Sequence, residues 1–192
     1  TWGANDRGQL GDGTTAERYV PGQVTDLEGM SEVACGRAHT LAVSRYFQHY
    51  WLMTSTIWAW GANDRGQLGD ETWTDQLTPV ELIGTEEEGY LLPIERIAAA
   101  GDVSLAAVAA GVMWTWGAND QGQLGDGLTT DRNIPTVVPD FYSTGAATTG
   151  GNHMVATWFY GGTWAWGDNA SGQLGDGSTV DSPIPVEVLG VN

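Results

Sequence analysis

Three aspartate pairs recur at one spacing: Asp6 and Asp12, Asp64 and Asp70, and Asp120 and Asp126 each stand six positions apart. Hard carboxylate oxygens on irregular loops are what a calcium ion takes as ligands. A fourth copy of the same stretch carries Ala170 in place of the first Asp, and no EF-hand spacing surrounds any pair. Turn-stabilising, solubilising aspartates are therefore the better account. The histidines are His39, His49 and His153. No Ser or Cys nucleophile stands at a recognisable spacing from them, and His39 and His153 occupy matching stretches, as hydrogen-bonded strand residues do. There is no His-x-x-x-His or Cys-x-x-Cys pattern for zinc. Without a single Lys, a phosphate-cradling P-loop is excluded. Cys35 is the only cysteine, so no intrachain disulfide can form, and its apolar strand predicts a buried, inert thiol. The expectation is a non-enzymatic protein with no cofactor and no metal.

Recognition chemistry has a better candidate. Tyr46, Phe47, His49, Tyr50 and Trp51 cluster where 14 residues separate Val43 from Trp58, against five between Val108 and Trp114 and six between Thr157 and Trp164. An exposed aromatic cluster marks a binding site, so these five are the candidate partner-binding residues, for a protein or a sugar. The alternative is an extended hairpin whose aromatics pack within the molecule or on another subunit. A second insertion, residues 84–94, lies where Pro79 to Gly101 spans 22 positions and the matching stretches span 15. Its Glu86, Glu87 and Glu88 read as a solvated loop tip.

These insertions interrupt a repeat. Trp-Gly-Ala-Asn-Asp-Arg-Gly-Gln-Leu-Gly-Asp-Gly begins at Trp2 and returns, slightly altered, at Trp60, Trp116 and Trp166. The segments 2–21, 60–79, 116–135 and 166–185 each run 19 positions from Trp to Pro, with Trp-Gly at Trp2 and Gly3, Trp60 and Gly61, Trp116 and Gly117, and Trp166 and Gly167. Between them, Gly36 to Val43 matches Gly150 to Thr157 and, more weakly, Gly101 to Val108, pairing His39 with His153 and Ser104. Successive Trp residues are 58, 56 and 50 positions apart. Units near fifty residues with glycine turns predict an all-β fold: a β-propeller of four-stranded blades, incomplete, with about three and a half blades in residues 1–192. Within each motif the Trp is a packing plate, the glycines permit tight turns, and Asn5 can hold its turn by bonding local backbone. The Ala-rich stretch from Ile94 to Ala110 invites a helix, but its alignment with the other strands overrides that. No apolar run is long enough to span a membrane as a helix. Asn169-Ala170-Ser171 has the form of a glycosylation acceptor, yet it overlies the motif's turn and reads as accidental.

With both half-motifs in view, the chain resembles the regulator-of-chromosome-condensation repeat family, which pairs a Gly-x-x-His-Thr-x-Ala strand with Trp-Gly-x-Asn-x-x-Gly-Gln-Leu-Gly. The resemblance implies a β-propeller, typically of seven blades, and hence a region of a larger propeller; one scaffold in this family serves unrelated activities. In its plant light-sensing branch a Trp follows the Gly of the first half-motif; here Arg37, Asp102 and Gly151 stand there, which removes that chemistry. The resemblance implies a protein partner, or further copies or segments of the same propeller. The leading expectation is a secreted or cell-surface interaction scaffold binding through blade faces and inserted loops, for which bacterial secreted relatives that inhibit a β-lactamase are a precedent. Alternatives are a structural subunit of an extracellular assembly or filament, and a guanine-nucleotide exchange factor.

Charge narrows the partners. There are 24 acidic residues against seven arginines, a net charge of −17. Such a surface repels phosphate backbones, so no nucleic-acid partner is expected. High acidity fits equally a protein kept soluble in concentrated salt and an ordinary extracellular protein. Like-charge repulsion is screened by ions, so the thermal midpoint should be higher in molar sodium chloride than in dilute buffer. A flat or falling midpoint would remove the salt-adapted reading.

Overall fold

The computed structural model describes residues 1–49, 52–82, 94–108, 111–142, 144–158 and 161–190. The elements are β1 (Met30–Cys35), β2 (His39–His49), β3 (Leu52–Gly61), β4 (Gln76–Leu82), β5 (Ile94–Ala100), β6 (Val103–Val108), β7 (Met113–Gly117), β8 (Arg132–Val137), β9 (Thr144–Thr149), β10 (His153–Trp158), β11 (Thr163–Gly167) and β12 (Ser182–Glu187). They make three four-stranded antiparallel sheets in simple sequential order: β1 to β4, β5 to β8 and β9 to β12. β1 packs on β5 and β5 on β9, so the first strand of each blade lies toward a common axis. Pro79, Pro135, Pro183 and Pro185 fall on β4, β8 and β12, the edge strands, where a residue without an N–H leaves no ladder bond broken. Ahead of β1, residues 1–3 and 18–22 form a short ribbon with paired backbone bonds between Gly3 and Arg18 and between Thr1 and Gly22.

The core lies between blades. Leu41, Val43 and Ile57 of the first sheet meet Ile94, Ile97, Val108 and Trp116 of the second. Val103, Leu105 and Met113 of the second meet Met154, Ala156 and Trp166 of the third, with Phe141 from the connection between them. This explains the Ala-rich stretch: β6 is buried along its whole length because sheets flank it on both sides, so it needs small apolar residues rather than alternation. It is a strand, as the repeat required.

Each Trp of the motif ends the third strand of a blade. Trp60, Trp116 and Trp166 are buried, whereas Trp2, on the ribbon, is 64% exposed. The glycine after each buried Trp has φ near 100° (103°, 102° and 101°), and a Cβ there would overlap the carbonyl oxygen of Ala38, Asp102 or Asn152. Trp-Gly is thus a strand end followed by a close backbone crossing. The four Asn residues are wholly buried. Asn63 Oδ1 accepts from Leu68 N at 3.0 Å while its Nδ2 donates to Asp70 Oδ1 at 2.8 Å and Thr72 O at 3.1 Å, and Asn5, Asn119 and Asn169 repeat the pattern. Asn169 therefore has no free amide for a glycan.

Two expectations need correction. Ser104 does not occupy the place of His39: the register pairs His39 with Gly61 and His153 with Gly167, but Val103 with Gly117. The second sheet turns tightly at Gly101 and Asp102, so its strand starts earlier and Ser104 sits opposite Trp116, where Thr40 sits opposite Trp60. Cys35 is exposed, not buried. On β1, Ala34 packs into the core while Val33 and Cys35 point to the other face, which no complete sheet covers.

Trp116 is fully buried between two blades, so Trp116→Ala should destabilise by about 3–5 kcal/mol. Denaturant unfolding followed by circular dichroism would measure it; a loss below about 1 kcal/mol would show that the seam does not depend on the indole.

Candidate functional site

The seams between blades hold the polar groups with chemical potential. At each seam the indole N–H of one blade donates to the Gln carbonyl of the preceding Gly-Gln-Leu-Gly turn: Trp60 to Gln9 O at 3.0 Å, Trp116 to Gln67 O at 3.0 Å, Trp166 to Gln123 O at 3.1 Å. The second glycine of that turn, Gly11, Gly69 or Gly125, has φ near +70° and would drive any Cβ into the indole. The turn is therefore a cradle for a Trp ring.

A Ser–His pair lies at the second seam. His39 Nε2 stands 2.9 Å from Ser104 Oγ, and Ser104 Oγ donates to Gln67 O at 2.7 Å. Since the hydroxyl proton goes to the carbonyl, the imidazole must carry its proton on Nε2 and donate to the serine. That is the reverse of a base poised to activate a nucleophile. Both side chains are sealed, His39 at 1% and Ser104 at 0% exposure, and among the described residues no carboxylate orients His39 Nδ1. The pair is a structural bolt between blades. Sequence spacing could not show it, because the two residues meet only across a seam.

The aspartates have defined work. Asp12, Asp70 and Asp126 accept from the buried Asn of their own turn. Asp64 and Asp120 instead take part in inter-blade clamps: Arg7 donates to Asp64 and Asp75, and Arg65 to Asp120 and Asp131. These carboxyls of Asp64, Asp75 and Asp120 are held below the usual range by their arginine partners against a counteracting desolvation. At the third seam Gln121 stands where Arg7 and Arg65 stand and Ala170 where Asp64 and Asp120 stand, while Asp181 keeps the place of Asp75 and Asp131. The arginine and one of its two aspartates disappear together, a signal present in the sequence but legible only once the seam is known. Among the described residues no group of three His, Cys, Asp or Glu could hold a metal ion.

Of the candidate partner-binding residues, Tyr46, Phe47 and His49 lie on β2, opposite Thr54, Met53 and Leu52 of β3. Tyr50 and Trp51 lie outside the described residues, as does the glutamate loop at 86–88. The insertion thus extends the β2–β3 ladder outward. Its base is pinned to the next blade: Arg45 donates to Ile94 O, Glu95 O and Glu32, and Ile94 N donates to Ser55 Oγ. In the third blade Trp158 and Trp164 stack at 5.1 Å beside Phe141, as packing groups.

Comparison with known proteins gives one consistent answer. The regulator of chromosome condensation (RCC1) repeat matches residues 1–43, 55–107, 110–157 and 160–192. The chain is 31% identical over 156 residues to the Ultraviolet-B receptor UVR8 of Arabidopsis thaliana, covering 80% of this chain and 31% of that protein. It is 35% identical over 128 residues to Protein RCC2 of Homo sapiens, covering 65% of this chain and 22% of the other. By shape it matches Prp20p from Saccharomyces cerevisiae with a TM-score of 0.79 at 20% identity, over 97% of this chain and 45% of that one. Human WBSCR16 matches with a TM-score of 0.76 at 24% identity, over 95% and 45%. The chain thus spans a third or less of these curated relatives and under half of these solved chains.

The buried imidazole generates a pH dependence. Burial pushes the His39 pKa down to about 4, against an ordinary 6.5. Between these values the unfolded chain binds a proton that the folded one does not, so stability is full above pH 6.5 and falls as pH drops toward 4. The loss attributable to His39 is on the order of 3 kcal/mol. Clamped carboxylates add their own loss at lower pH, so the His39 share is the difference between the parent and His39→Gln in unfolding measured across this range. Parallel pH profiles for the two would refute it.

Proposed function

Because the chain belongs to the regulator of chromosome condensation (RCC1) repeat family, we propose that it is a non-enzymatic protein-interaction scaffold, binding through its blade faces and the long β2–β3 hairpin. The observation that carries this is the hairpin: its backbone leaves the blade as a continued ladder, its base is fastened by Arg45, and its tip segment is rich in aromatic residues. A stem with a paired backbone is an efficient contact element, since less entropy is lost on docking than from an unpaired loop. The Ser–His pair found among the described residues is inward, donor-reversed and closed to solvent, which supports a reading without catalysis. Net charge of −17 favours a protein partner over nucleic acid. Prp20p is described by its binding to Gsp1p and histones, and by a structure with Kap60; carried to this chain, such partners support protein binding as the mode of action. An extracellular or cell-surface location is part of the proposal on charge alone. One relative, RUG3 of Arabidopsis thaliana, is named mitochondrial.

The test replaces residues 46–53 with a short glycine turn. Affinity capture of proteins from the source cells should lose its specific partner, while the thermal midpoint stays within a few degrees because the seams are untouched. Undiminished capture would move the site to a blade face. Acceleration of nucleotide release from a small GTPase would instead favour the exchange-factor reading.

A further inference from the structure

Among the described residues, Asp26, Glu71 and Asp140 hold a positive φ without being glycine. Aspartate tolerates the left-handed region through its short polar side chain, whereas glutamate gains nothing there. Glu71 has φ of +66°, and Gly13, Gly127 and Gly177 stand in its place in the other copies of the motif, at +77°, +81° and +83°. The turn therefore demands a glycine conformation and takes a glutamate at a cost. Two positions on, the same turn departs again: Trp73 replaces Thr15, Thr129 and Thr179, and it is 51% exposed. Thr72 between them turns inward, its hydroxyl donating to Asp70 Oδ1 at 2.8 Å and accepting from Asn63 Nδ2 at 3.0 Å. Glu71 and Trp73 are left exposed on either side of it. The strained residue is also pinned to the next blade. Glu71 N donates to Asn133 O at 2.9 Å, as Gly13 N does to Leu77 O and Gly127 N to Pro183 O. Asn133 Nδ2 adds a second bond, to Glu71 O at 2.8 Å, which Leu77 and Pro183 have no side-chain donor to make. A costly conformation held in place by its surroundings is how strain is carried at a functional position.

We propose that Glu71 and Trp73 form a docking site for an arginine side chain of a partner protein, on the rim of the second seam. A guanidinium can lay its face on an indole while its N–H groups fork onto a carboxylate. The molecule's own arginines do not take this place. Arg7, Arg18, Arg37, Arg45, Arg65 and Arg132 are all paired with carboxylates, and among the described residues none reaches Glu71. A net charge of −17 draws a basic segment toward the surface. The site rests on the protein-binding reading but uses a different surface from the hairpin. Glu71 follows one end of the ten-residue β3, and the hairpin tip lies at the other.

The test is a nuclear magnetic resonance titration of the isotope-labelled chain with the peptide acetyl-Gly-Arg-Gly-amide in dilute buffer. The Trp73 indole N–H and the Glu71 amide should shift and saturate, and molar salt should weaken the effect. The same peptide with citrulline in place of arginine should leave both unmoved. Trp73→Thr and Glu71→Gln, both at exposed positions, should each weaken binding several-fold. Glu71→Gly, which restores the residue of the other copies, should weaken it equally while raising the thermal midpoint by a few degrees. Replacing residues 46–53 should leave the titration unchanged, so this site and the hairpin stand or fall separately. Shifts spread over the acidic surface without saturation at Trp73 overturn the proposal. So does equal binding of the citrulline peptide, or a Glu71→Gly chain that binds as the parent does or melts lower.

Discussion

The whole architecture rests on one contact: an indole N–H donating to a glutamine carbonyl inside a glycine-walled turn of the preceding blade. A sheet in this molecule has no core of its own. Its apolar side chains face the neighbouring sheets, and what sets the angle and distance between sheets is where the Trp ring comes to rest. The buried Asn fixes the turn from within, so the carbonyl already points at the incoming ring when the blades meet. Glycine is required on both sides of the contact, after the Trp for the backbone crossing and in the cradle for the ring face. The most repeated residues are thus parts of one joint.

Polar reinforcement is layered on that joint unevenly. The first seam has the Arg7 clamp. The second has the Arg65 clamp, the pair of His39 and Ser104, and an ion pair between Arg37 and Asp102. The third has neither clamp nor bolt and relies on Phe141 with Trp158, Trp164 and Trp166. Because exposed and half-exposed ion pairs contribute little each, the seams remain comparable in kind, and apolar packing decides their strength. Acidic residues beyond those in clamps and turns serve the surface.

The sequence made the joint's residues visible because they repeat at fixed spacing; Trp, Gly, Asn and Leu of the motif all do structural work in the positions expected. It hid what crosses between repeats. His39 with Ser104 and Arg65 with Asp131 are more than sixty residues apart, and no local pattern links them. Matching the glycines places Ser104 one position off, because a turn shortened by one residue leaves a glycine match intact while shifting the strand. Cys35 looked buried because its neighbours are apolar, but alternation on β1 sends Ala34 inward and Cys35 outward. The aromatic insertion was recognised as extra length; that it lengthens an existing ladder is a register property, which composition does not carry.

That ladder has an evolutionary consequence. Residues added to the β2–β3 ladder satisfy their own backbone groups by pairing with each other, as Tyr46 does with Thr54 and Phe47 with Met53. Length at this place can therefore drift with little folding penalty elsewhere, and a single extra residue is absorbed as a bulge, as the register shift between Phe47 and His49 shows. The blade edge is a grafting point where new recognition surface can be tried and discarded while the joint that holds the propeller stays unaltered.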